Sequence, residues 1–241
     1  MAKTLSDDAV AGYKRDGYHF PIDVLSADET RDLRGKLEAH ERASGGPIMT
    51  RRFTSPAPDE MSAEQQALYR LFATGRRAQP GNAFSLVDEA GRLQGPPAAW
   101  VLVPPVGHAL EQLGGAMRYG LTLPARAREI AVLLVAHHHK SPFELHAHTR
   151  AGAAAGLSPE DLDALSTGQP PALTTEAERV TYTVTRRILA AGTLDEHEYA
   201  LAVRELGTGQ LFELSTLIGY YAMLAVQLGV FGLLPPGEPG D

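Results

Sequence analysis

Apolar positions recur at helical spacing through most of this chain, and polar capping signals punctuate them. Ser26 with Glu29, Ser62 with Gln65, Ser141 with Glu144, and Thr175 with Glu178 fit the S/T-x-x-E/Q capping box at a helix start. Ser158 followed by Pro159 fits an N-cap with proline at the first helical position. Gly156, Gly192 and Gly207 follow apolar-periodic segments and suit the left-handed residue that ends a helix. No segment alternates with period two between turn signals, so no substantial sheet is expected. The pattern predicts an all-α fold with helices over about 6–16, 26–43, 62–74, 105–119, 125–139, 142–155, 159–166, 175–190, 195–206 and 209–232.

Between these elements, Ser44 to Pro58 is rich in Gly, Pro, Ser and Thr and reads as a linker. Ala78 to Pro105 is rich in Gly and Pro and is expected to wrap the surface, with Trp100 and Val101 anchoring it to the core. The expected organisation is a helical extension over 1–43, a linker and wrapping segment over 44–104, and a helical domain over 105–234. Leu211 to Leu234 is the most apolar stretch, but it contains Glu213, Ser215, Thr216, two tyrosines, Gln227 and three glycines. It reads as a buried or subunit-interface helix rather than a membrane span. Its apolar residues lie nearly all round the helix, which predicts a homo-oligomer.

Composition narrows the partners. The 241 residues suffice for one large domain or a domain with an appendage, and 44% hydrophobic with 21% charged residues is ordinary for a soluble protein. The formal net charge of 22 − 29 = −7 argues against nucleic acid or an anionic membrane as the main partner. There is no cysteine, hence no disulfide, thiol nucleophile or thiolate metal site. The first twenty residues lack a basic region followed by an apolar run, so no secretory signal is read and a cytoplasmic location is expected.

The chemistry concentrates between Glu129 and His148, which hold five of the nine histidines and two glutamates. Glu144 and His148 are four residues apart and share a helical face. A carboxylate beside an imidazole makes a general acid/base pair near neutral pH. Each residue also has a structural alternative. Glu144 can bond back to the Ser141 amide in a capping box. His148 can be a histidine satisfied by a backbone carbonyl. Glu129 can be a first-turn carboxylate or a salt-bridge partner of Arg126. His137, His138 and His139 end a helix, where positive charge suits the dipole; their side chains diverge by about 100° per residue, so at most one or two enter a common site. His137, His138 and Ser141 are expected as substrate contacts. There is no H-E-x-x-H, H-x-D or H-x-E, no G-x-S-x-G, no Walker loop and no dinucleotide fingerprint. No metal and no cofactor is expected.

From about 51 to 234 the chain resembles the carboxymuconolactone decarboxylase and alkylhydroperoxidase D superfamily. The residues that carry the likeness are L-P-A-R-A-R-E-I-A-V-L-L-V-A, then S-P-F-E-L-H-A-H-T-R-A-G-A-A-A-G-L-S, the helix A-L-T-T-E-A-E-R-V-T-Y, and the closing L-F-E-L-S-T-L-I-G-Y-Y-A-M-L-A-V-Q-L. The resemblance implies an alkylhydroperoxidase D-like helical bundle that assembles as an oligomer. In the peroxidase branch a glutamate precedes a C-x-x-C-x-x-x-H helix. Laid on this chain, the glutamate falls on Glu129, the histidine on His148 and the two cysteines on Ser141 and Glu144. Both redox thiols are missing, which excludes thiol peroxidase chemistry and leaves the proton-handling groups. The segment D-G-Y-H-F-P-I-D-V-L-S-A-D-E-T-R-D-L-R resembles the opening of phytanoyl-CoA dioxygenase family proteins, without the H-x-D…H iron triad of that family.

The expected function is a cofactor-independent acid/base enzyme of the decarboxylase, isomerase, elimination or cyclisation type, acting on a small organic acid, lactone or polyketide-like substrate. His148, Glu144 and Glu129 are the expected catalytic residues. Two other readings are a non-catalytic ligand-binding or scaffold protein on the same fold, and a metal-dependent enzyme using His137 or His138 with Glu129, Glu144 and His148.

Overall fold

A computed structural model of the chain describes residues 10–11, 14–15, 26–44, 52–75 and 85–236. The chain divides into two compact units, Met1–Ile48 and Met49–Asp241. In the first unit, α1 (Ala27–Ser44) starts at the expected capping box. The Glu29 amide donates to Ser26 Oγ at 3.2 Å and the Ser26 amide donates to the Glu29 carboxylate at 2.8 Å. Leu33 and Leu37, one turn apart, are exposed on α1. Of the helix expected near 6–16, residues 10–11 and 14–15 are helical, and the rest lies outside the described residues. So does most of the segment that resembles the dioxygenase opening.

The regular elements described in the second unit are all helices. A 3-10 turn at Pro58–Glu60 precedes α2 (Ala63–Ala73), followed by α3 (Pro96–Trp100), α4 (Pro104–Tyr119), α5 (Ala125–His138) and α6 (Pro142–Ala154). Then come α7 (Pro159–Ser166), α8 (Glu176–Ala191) and α9 (Glu196–Phe231). Among the described residues there is no strand, only one isolated bridge between Val87 and Leu93. The short α3 is not signalled by periodicity, because five residues do not complete two turns. Gly207, with φ 76° and ψ 160°, breaks the helical path inside α9, where the glycine signal separates two helices. A side chain there would meet backbone strain alone, since no atom lies within 4 Å of a Cβ position.

α5 is the central element. Glu129 to Ala136 are all buried, and the helix packs against α6, α8 and α9. Ile130, Leu133 and Leu134 meet Leu157, Leu165 and Tyr182 on one side. Ala131, Val132 and Val135 join the larger core, which also contains Leu68, Phe72, Trp100, Val101, Leu214 and Leu217. Each fully buried aliphatic side chain contributes roughly 1.5–3 kcal/mol. Trp100 and Val101 are thus core residues, as is the α2 pair Leu68 and Phe72.

Two polar devices hold the start of α5. Glu213 of α9 accepts hydrogen bonds from the Thr122 and Leu123 amides, both at 2.9 Å, and fixes the loop ahead of the helix. Arg126 is not the partner of Glu129. Its guanidinium donates to Glu178 at 2.5 Å, to Asp161 at 2.8 Å, and to the Gly156 and Ala172 carbonyls at 3.1 and 3.0 Å. The clamp ties α5 to α7 and α8 with three nearly buried charges whose hydrogen-bonding capacity is well used, the condition under which such a cluster is tolerated.

The other end of α5 closes with the Ser141 amide donating to the Ala136 carbonyl at 3.0 Å, while Lys140 sits at φ 50°. This is a Schellman-type stop with lysine in the left-handed position usually held by glycine. It also overturns the capping box expected at Ser141 and Glu144: Ser141 makes no side-chain cap bond, and its amide is already used by Ala136. Glu144 is therefore free to turn inward.

α9 is the one helix among the described residues that is long and apolar enough to cross a membrane by length and composition. Leu214, Leu217, Ile218, Tyr221, Leu224 and Leu228 lie on its buried side, while Phe212, Val226 and Val230 are exposed.

The clamp generates a prediction. Asp161 and Glu178 titrate below their ordinary values. Burial alone would raise them, but amide donors and Arg126 outweigh it. Depressed folded-state values mean that this stability is full above the ordinary carboxylate range and is lost as pH falls through the lowered values. Arg126→Met leaves two buried carboxylates unpaired and should lower the unfolding free energy near pH 7 by about 3–5 kcal/mol. Urea melts at a series of pH values should show the variant recovering part of that loss on mild acidification, as the orphaned carboxylates protonate.

Candidate active site

Glu129, Glu144 and His148 converge between α5 and α6. Glu129 occurs four residues into α5, in phase with Val132, Leu133 and Ala136, so a carboxylate is carried into the core by an otherwise apolar helix. On α6, Phe143 anchors the first turn against Gly95, where any Cβ would fall 2.3 Å from the Phe143 ring. This close packing sets the rotation of α6, and Glu144 and His148 then project one turn apart from the same face.

The imidazole bridges the two carboxylates. His148 Nδ1 lies 2.7 Å from Glu129 Oε2, and Nε2 lies 3.4 Å from Glu144 Oε2. The first contact is a short charge-assisted hydrogen bond; the second is an ion pair too long for a strong bond. Arg128 Nε stands 3.5 Å from the other oxygen of Glu129. Across the imidazole, the Tyr221 ring of α9 packs edge to face at 4.9 Å and 87°. Tyr220 continues the stack at 5.4 Å.

Proton affinities follow from this geometry. Burial lowers the affinity of His148, but the hydrogen bonds and negative charges of Glu129 and Glu144 override it and push the pKa up to about 9. For Glu129, burial acts upward, but the His148 hydrogen bond and charge, with Arg128, hold it below the usual carboxylate range. Near neutrality His148 is therefore an imidazolium that donates Nδ1–H to Glu129 and turns Nε2–H toward Glu144, and Glu129 is ionised. Burial, reinforced by the negative charge of Glu144, pushes the Tyr221 phenol well above its ordinary value and keeps it neutral.

A cavity of about 90 Å³ opens onto Glu144 and His148. Pro96, Pro97, Trp100 and Leu224 supply apolar walls. Trp100 is held by its indole N–H, which donates to Gln227 Oε1 at 3.0 Å. Tyr220, Tyr221 and Arg118 complete the polar lining. Glu129 stands behind His148 and does not line the cavity. Nor do Ser141, His137 or His138. Ser141 is buried, and its hydroxyl has no hydrogen-bond partner. His137 is half-buried, and burial lowers its affinity for protons. His138 is exposed at the end of α5 and packs against the His139 ring at 5.0 Å. Among the described residues no group of three or more His, Asp or Glu side chains is arranged to hold a metal ion. Tyr221 and Arg118 join the cavity from helices distant in sequence. The only available signal was the Y-Y pair in the final apolar helix, and Arg118 carried none.

The fold is all-α and of the carboxymuconolactone decarboxylase and alkylhydroperoxidase D-like kind. Residues 104–187 match the model of the Carboxymuconolactone decarboxylase family, a span that includes Arg118, Glu129, Ser141, Glu144 and His148. No curated protein matches the chain, and no solved structure does.

The coupling of His148 to Glu129 has a titration signature. A group raised from 6.5 to about 9 in the folded state contributes stability that is full below the unfolded value and is lost as pH rises through about 9. In NMR titrations the His148 ring should remain protonated through neutrality and titrate near that value, and Glu129→Gln should bring its transition down. A wild-type His148 that titrates at the ordinary histidine value would contradict the pair.

Proposed function

We propose that the protein is an acid/base enzyme, of the decarboxylase, isomerase, elimination or cyclisation type, that acts on a small organic acid, lactone or polyketide-like substrate without a cofactor. The observation that carries this reading is the Glu129–His148–Glu144 bridge with one carboxylate on the cavity and the other behind the ring. Glu129 fixes the imidazole and its charge, as a positioning residue. The imidazolium offers Nε2–H to an oxygen on which negative charge develops, or protonates the product. Glu144 is the carboxylate in the cavity and accepts a proton from substrate carbon. The 3.4 Å separation leaves both groups able to turn to a third atom, and such contacts tighten when substrate binds. Thiol peroxidase chemistry has no place here, since the chain lacks cysteine.

The test is an assay of the reaction class. A panel of β-keto acids and unsaturated lactones is incubated in D2O, and CO2 release and deuterium uptake at carbon are followed. His148→Ala and Glu144→Gln should each lower turnover by at least about 10²-fold with helicity retained. Ser141→Ala should spare activity and cost no capping energy, because its hydroxyl bonds nothing and its removal relieves a buried unsatisfied group. Turnover no greater than background in the wild type, with a ligand still bound, would favour a ligand-binding protein instead, and measurable turnover unchanged in His148→Ala would overturn the assignment of His148.

Assembly with a second copy of the chain is part of the same reading. The exposed Phe212, Val226 and Val230 on α9 support it, since apolar surface of this kind is normally covered. Light scattering should give a mass above that of one chain, reduced by Phe212→Glu.

A further inference from the structure

The cavity carries one charge that the bridge does not use. Within the bridge, Glu129 has His148 at 2.7 Å and Arg128 at 3.5 Å, and Glu144 has His148 at 3.4 Å. Arg118 of α4 lines the same cavity from its exposed rim, and among the described residues no carboxylate pairs with it and no hydrogen bond holds it. Its charge nevertheless reaches inward, where it favours the ionised form of the Tyr221 phenol. Gly114, one turn earlier on the same face of α4, also lines the cavity and puts no side chain between the guanidinium and the floor. Beside these, the Tyr221 hydroxyl is a neutral donor without a hydrogen-bond partner among the described residues. An unpaired guanidinium at the mouth of an apolar-walled cavity, with a phenol further in, is complementary to a planar anion that guanidinium binds in two-point fashion.

We propose that Arg118 is the specificity-determining residue of the cavity: it anchors a carboxylate of the substrate at the rim and so holds the rest of the molecule against Glu144 and His148. This rests on the acid/base reading for what happens next, but not for the binding itself. It also assigns a polarity to the site. The charged end of the ligand lies toward α4, and the reacting carbon lies toward α6.

The experiment separates the two claims. The full-length protein is titrated with levulinate and benzoate and with their methyl esters, by calorimetry and by the fluorescence of Trp100, the chain's single tryptophan and a wall of the cavity. At least one acid should bind about tenfold or more tightly than its ester. Arg118→Met should abolish that preference by weakening the acid and leaving the ester unchanged, and Arg118→Lys should restore part of it. His148→Ala should keep the acid preference even where it removes turnover. Preference retained in His148→Ala with turnover also unaffected would sink the acid/base reading and leave the anchor standing. An Arg118→Met variant that binds acids as wild type does, esters bound as well as acids, or no binding of either acid into the tens-of-millimolar range would each overturn the anchor.

Discussion

A buried ion pair between Glu129 and His148 is the constraint around which this helical unit is organised. A carboxylate in the middle of an apolar helix is costly unless it is paired and hydrogen-bonded, and the 2.7 Å contact with Nδ1 meets that condition. The requirement reaches outward. α5 must be held at one rotation and one depth, which Arg126, Glu213 and the Lys140 turn secure at its two ends. α6 must present His148 to it, which the contact between Phe143 and Gly95 enforces. α9 must cover the ring, which Tyr221 does edge-on.

That pairing also divides labour between two similar residues. Glu129 and Glu144 both face the same imidazole, yet one is sealed behind it and the other borders the cavity. Both raise the proton affinity of the ring, Glu129 through the shorter contact. The bordering one, held at a looser distance, retains freedom to engage a ligand. Two carboxyl groups buried to the same degree thus differ in which side of the ring they occupy and in whether they border the cavity. The ends of α5 make this possible, because the Ser141 amide is consumed by the Ala136 carbonyl and leaves Glu144 nothing to cap.

Much of the fold was legible in advance because its signals are local. Capping residues at Ser26, Ser62, Ser158 and Thr175 each satisfy an amide within three residues, and Gly192 and Gly207 adopt the backbone that only glycine tolerates cheaply. The break in the last long helix followed from the same rule. α3 escaped because a five-residue helix made of two prolines, two alanines and a tryptophan has no period to read. The Ser141–Glu144 motif forms no capping box, for a reason that is not local. The motif fits, but whether an amide is free to be capped depends on what the preceding helix does with its last carbonyls.

The sequence by itself determined the helical class, the positions of most helix ends, the absence of thiol chemistry, and the clustering of carboxylates and imidazoles on the Glu129–His148 stretch, since each depends on residues within a few turns of one another. Tertiary structure alone decided which carboxylate is sealed and which faces the cavity. It decided that His137, His138 and Ser141 lie off that cavity, and that Arg118 and Tyr221, from helices 30 residues before and 73 after His148, complete its wall. Helical phase predicts what shares a face of one helix; what meets across helices is set by packing, which no local pattern encodes.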